Sequence, residues 1–126
     1  MRSSPKPVYL NLFRLHLPIT GWVSILHRVS GVLLFFMLPV LVWGFTLAFS
    51  SEAGFGRVTA YLAIPFVKLL TLLLVGGLTH HFFAGLRHLA MDVHWGVSLS
   101  SARWTSLIVF LATGIVVLLA AWVLFR

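Results

Sequence analysis

The amino-acid sequence predicts an all-α membrane protein with three transmembrane helices, and three observations lead there. Of 126 residues, 60% are hydrophobic and only 9% charged, against roughly 45–50% and 25% in a typical soluble domain. The mean hydropathy is +1.06, so there is too little polar material to cover a globule in water. The apolar residues form three long runs, with most of the charges at their ends. Three spans of about 20 residues take up roughly half the chain. Residues 1–126 therefore read as a single transmembrane domain with no room for a separate soluble catalytic domain.

The first span is expected over about residues 24–49. Its uncharged core, Val29 to Phe49, has 21 residues, which as a helix is about 31 Å long and matches a hydrocarbon core of about 30 Å. Pro39 lies inside it and is expected to kink it tolerably. Ser50 to Arg57, SSEAGFGR, reads as a turn. The second span, about 58–89, is interrupted by Lys68, His80, His81, Arg87 and His88, the last four clustered at one end. Lys68 can snorkel from a helix end, whereas histidines at that depth need another reason. Asp92 to Arg103 reads as a polar loop, with Trp95 and Trp104 placed as interfacial anchors. The third span is about 104–125.

The nine Lys and Arg residues face only Glu52 and Asp92, a formal charge of +7. They are scattered singly, without a basic stripe, so nucleic-acid binding is not expected. Arg2, Lys6, Arg14, Arg28, Arg87 and Arg103 fall on one side of the membrane, and Arg57, Lys68 and Arg126 on the other. The positive-inside rule then puts the N-terminus in the cytoplasm and the C-terminus in the periplasm. The N-terminal stretch MRSSPKPVYLNLF has neither a signal-peptide core nor transit-peptide character. It reads as a mature bacterial terminus, and the expected location is the bacterial inner membrane. The absence of cysteine excludes disulfides, thiolate zinc sites and chain-borne iron–sulfur clusters.

On a helix turning about 100° per residue, taking His81 as zero, Gly77 lies at about −40°, Gly85 at about +40°, His88 at about −20° and Asp92 at about +20°. A histidine with glycine one turn above and below admits a flat ring system close to the helix, as b-type haem ligation requires. Arg87 and His88 are placed to meet the negative propionates. His81 and His88 project from one side of the helix about 10.5 Å apart along its axis. They cannot both be axial to one haem, so a second axial ligand must come from another helix. The alternative is that His81 only bonds across to a neighbouring helix. His80 faces about 100° away and is the weaker ligand candidate. Zinc is disfavoured because no second ligand sits at a short helical spacing from His81.

In PITGWVSILHRVSG, the residues Ser24, His27, Arg28 and Gly31 fall at i, i+3, i+4 and i+7 on one helical face. An embedded arginine normally faces a cavity, a partner or an anion. A quinone needs hydrogen-bond donors at its carbonyl oxygens and a nearby proton path, and Ser24 and Arg28 can supply donors. The alternative is that His27 and Arg28 are interfacial anchors that only set orientation. Phe35, Phe36, Phe82 and Phe83 read as lipid-facing or packing residues.

Over essentially its whole length the chain resembles the cytochrome b subunit family of succinate dehydrogenase, the larger membrane anchor of bacterial respiratory succinate:quinone oxidoreductase (complex II). KPVYLNL resembles the family's basic-Pro opening, with Lys6 where Arg is more usual. PITGWVSILHRVSGV resembles its S-x-x-H-R-x-S/T-G signature and HFFAGLRHLAMD its H-x3-G-x-R-H-x3-D signature. The resemblance implies a helical bundle completed by a second, small membrane anchor subunit. It implies His81 as an axial ligand of haem b, with His27, Arg28, Arg87 and His88 near the haem propionates, and Ser24 and Arg28 in the ubiquinone pocket. The implied partners are a flavoprotein subunit that oxidises succinate, an iron–sulfur subunit, the second anchor and membrane lipid. The competing classes are a redox-inactive membrane scaffold and a proton-conducting subunit.

Overall fold

The structure, a computed structural model, describes residues 17–126. The KPVYLNL opening and the charges of Arg2, Lys6 and Arg14 lie outside the described residues. Four helices follow in order: α1 (Ile19–Ser50), α2 (Glu52–Ala63), α3 (Pro65–Asp92) and α4 (Leu99–Phe125). Of these, α1, α3 and α4 are long and apolar enough to cross a membrane. At 1.5 Å per residue they are about 48, 42 and 40 Å long, each exceeding a hydrocarbon core of about 30 Å. Tilt or projection beyond the core must take up the excess.

The segment after the first span is not an open turn. Ser51 caps α2, its hydroxyl accepting from the Gly54 N–H at 3.0 Å, and Glu52 in the first turn complements the positive end of the helix dipole. A Cβ at Gly54 would collide with the Leu47 carbonyl oxygen, so glycine allows α2 to fold back against the end of α1. The second apolar stretch is correspondingly not one helix over 58–89. It breaks at Ile64, which is extended (φ −68, ψ 127), because a residue before proline is forced out of the helical region. Pro65 then opens α3 at its first turn, where no N–H is needed. The third helix also starts earlier than residue 104, at Leu99, because the Ser98 hydroxyl accepts from the Ser101 N–H at 3.2 Å. Helix α1 runs through Pro39 without interruption.

Helix α3 is central and packs against both α1 and α4. Val23, Ala84, Ala102 and Val109 form the small buried core, joined by Phe83 and Phe110. The buried polar residues are Ser30, His80, Arg87 and Ser106, whereas Phe35, Phe36 and Phe82 are exposed. This is the inverse of a soluble protein. Between membrane helices, close packing and polar contacts replace the hydrophobic drive, and large apolar side chains turn outward. Lys68 donates to the Leu124 carbonyl and lies 5.3 Å from the Phe125 ring centre, so it covers an unpaired carbonyl at the end of α4.

Candidate functional site

The start of α1, the end of α3 and the start of α4 lie at the same end of the bundle. There the His81 ring lies between α3 and α1. Its Nδ1 is 3.1 Å from the His27 carbonyl oxygen and 3.3 Å from Ser30 Oγ, and the Ser30 hydroxyl itself donates to that carbonyl at 2.9 Å. A carbonyl can only accept. Nδ1 therefore donates, the orientation that a backbone carbonyl imposes on metal-binding histidines. Among the described residues no side-chain nitrogen is both buried and unpartnered. Since both ring contacts are made through Nδ1, Nε2 reaches the surface of the chain.

The helix approach that allows this is set by small residues. A Cβ on Gly31 would stand 3.1 Å from His81 Cε1, and one on Gly85 would stand 3.4 Å from His27 Nε2. The His27 ring stacks on His81 (centroids 4.2 Å apart, 13° between planes) and lies 5.1 Å from His88. The stripe Gly77, His81, Gly85 and His88 thus faces α1, with Gly77 against Leu33. His80 turns elsewhere. It is buried, its Nε2 donates to the Val23 carbonyl at 3.3 Å, and its ring lies 5.5 Å from that of Phe110. His80 thus bonds across to α1 through Nε2, as His81 does through Nδ1.

The face Ser24–His27–Arg28–Gly31 divides. His27 and Gly31 turn toward α3, Ser24 is half-buried, and Arg28 is exposed at the edge. Arg87, expected beside the propionates with His88, makes its hydrogen bonds to α4. It is buried against α4, with Nε donating to Thr105 Oγ1 at 3.1 Å and one terminal nitrogen to the Ala102 carbonyl at 3.4 Å. The reason is rotation: six residues after His81 places Arg87 about 120° round the helix. Asp92 is exposed at the end of α3. Sequence reasoning assigned no role to Ser30, Gly31 or Thr105. The signal for the first two was present, since both follow His27 by about one helical turn and form the S/T-G end of the first signature.

Three helices long and apolar enough to cross a membrane, with an imidazole cluster at one end, define a multi-pass membrane protein. The chain belongs to the succinate dehydrogenase/fumarate reductase transmembrane subunit family, whose model matches residues 2–121. It is similar to the succinate dehydrogenase cytochrome b556 subunit of Coxiella burnetii, at 32% identity over 123 residues, covering 96% of this chain and 98% of that protein. The corresponding b556 subunit of Rickettsia bellii is 31% identical over 87 residues, covering 69% and 67%. The succinate dehydrogenase cytochrome b560 subunit of Reclinomonas americana is 32% identical over 135 aligned positions, covering 95% and 86%.

Proposed function

We propose that this chain is the haem b- and quinone-binding membrane anchor of a succinate:quinone oxidoreductase, helping to pass electrons from succinate oxidation to ubiquinone. The observation that carries the reading is His81. Its Nδ1 donates to the His27 carbonyl and its Nε2 makes no hydrogen bond among the described residues and is not fully buried, which fits a haem ligand. His80, with Nε2 committed to Val23, does not offer the same atom. The relatives' names, as b-type cytochromes, support a haem of that type. In this reading His81 and a residue of the second small anchor subunit would hold the haem, which would supply one-electron storage when bound.

The rest of the cluster follows from its chemistry. His27 and His88, which lie with His81, and Arg28 at the exposed edge of α1 serve the propionate end, while Arg87 braces α3 against α4. Ser24 and exposed Arg28 donate to the quinone carbonyls. The histidine end of the bundle faces the cytoplasm and receives the iron–sulfur and flavoprotein subunits. Succinate itself is handled by another subunit, and the chain sits in the bacterial inner membrane with its C-terminus periplasmic.

The test replaces Ser24→Ala or Arg28→Leu in the assembled complex. Loss of one hydrogen bond of roughly 1–3 kcal/mol lowers quinone reduction about 5- to 150-fold. Succinate oxidation by an artificial acceptor stays at the wild-type rate. Equal loss of both activities, or unchanged quinone kinetics, would overturn the assignment of these donors.

A further inference from the structure

We infer that the cavity over Arg87, on the α3–α4 side of the bundle, binds the phosphodiester headgroup of an anionic phospholipid. Arg87 is only 8% exposed, and its two bonds go to neutral oxygens of Thr105 and Ala102. Its charge therefore has no counter-charge. The chain has only two acidic side chains. Glu52 lies in α2 at the opposite end. Asp92 is exposed and, five residues on, about 140° round α3. A shielded arginine in a membrane protein is retained where it meets an anion or a polar cavity, and here the anion has to come from outside the chain. A guanidinium carries five N–H donors in a flat fork matched to phosphate oxygens, and two are in use.

The shape and level of the cavity narrow the ligand. It is a half-open hollow of about 150 Å³, lined around Arg87 mainly by Leu86, Ala90, Met91, Trp95 and Gly96. With walls apolar apart from Arg87 and Thr105, it suits the polar end of an amphiphile better than a hydrated ion. Its rim is the turn that ends α3. There the His94 N–H bonds the Met91 carbonyl and the Trp95 N–H the Ala90 carbonyl, each at 2.9 Å, and His94 (φ 60) and Gly96 (φ 74) adopt left-handed conformations. Trp95, in its wall, is exposed, as an interfacial tryptophan that meets headgroups would be. The site lies on a different face of α3 from His81 and does not depend on the haem reading.

Native mass spectrometry of the purified membrane complex, delipidated and supplied with phosphatidylglycerol or phosphatidylcholine, tests the inference. Wild type retains one more phosphatidylglycerol per anchor chain than Arg87→Gln, with an affinity at least about tenfold higher. Arg87→Lys recovers part of it, and millimolar inorganic phosphate does not displace it. Displacement by phosphate would make the ligand a free anion instead. Equal lipid retention in wild type and Arg87→Gln overturns the inference. So does loss of haem absorbance or of the second anchor with lipid retention unchanged, since Arg87 would then serve a carboxylate of the haem or the partner. If Arg87→Gln does not assemble, the difference in fluorescence between wild type and Trp95→Phe isolates Trp95. Brominated phosphatidylglycerol must quench it at a lower mole fraction than brominated phosphatidylcholine, and quenching at the same fraction by both overturns the inference.

Discussion

Gly31 sets how close the His81 ring can come to α1. With a Cβ already 3.1 Å from Cε1, the branched side chain of Gly31→Val would push the ring off the His27 carbonyl, an overpacking of the kind that costs about 1–3 kcal/mol. Haem content per assembled complex is expected to fall, and a full complement of haem in that variant would show that the ring position is immaterial. Spacing within α3 was enough to place His81 and His88 on one stripe and His80 off it. Spacing could not show what the stripe faces, because the register between α1 and α3 is a tertiary property. Hence Ser30 and Gly31 went unassigned although their residue types were in plain view. For Arg87, the rotation of about 120° from His81 was calculable, but that Thr105 and Ala102 of α4 receive it was not.

Among the elements, the three spans were legible because long uncharged runs leave few other solutions in a lipid solvent. The boundaries were less so. Ser51 and Ser98 are ordinary capping residues, and Ile64–Pro65 carries the usual pre-proline break. All three were overridden by the stronger signal of continuous hydropathy or of a polar, glycine-rich stretch. The α1–α2 junction offers a direct check. At Gly54 an added Cβ meets the Leu47 carbonyl and comes within 2.8 Å of Ser50 Oγ, whereas Gly56, on the same short helix, has nothing within 4 Å. Gly54→Val should destabilise the fold by about 2 kcal/mol and lower the thermal midpoint of the detergent-solubilised complex, while Gly56→Val leaves it near wild type. Equal midpoints for the two variants would mean that α2 does not fold back on α1.

For the whole molecule, the histidine end carries Arg28, Arg87 and Arg103, and the opposite end Arg57, Lys68 and Arg126. These six divide equally between the two ends, so the bias rests on Arg2, Lys6 and Arg14 of the N-terminal segment. A reporter fused after Arg126 should read periplasmic, and one inserted near Ser98 cytoplasmic. The reverse would separate the histidine cluster from the soluble subunits it is proposed to serve. The measurement that bears most directly on the proposed role is the reduced-minus-oxidised spectrum, with low-spin electron paramagnetic resonance, of the purified complex carrying His81→Tyr or His80→Gln. Both substitutions remove an imidazole at similar depth, and glutamine keeps an N–H donor for the Val23 carbonyl. His81→Tyr is expected to abolish or visibly shift the low-spin haem b signal and His80→Gln to preserve it; loss with His80→Gln alone, or with neither, would contradict His81 as the ligand.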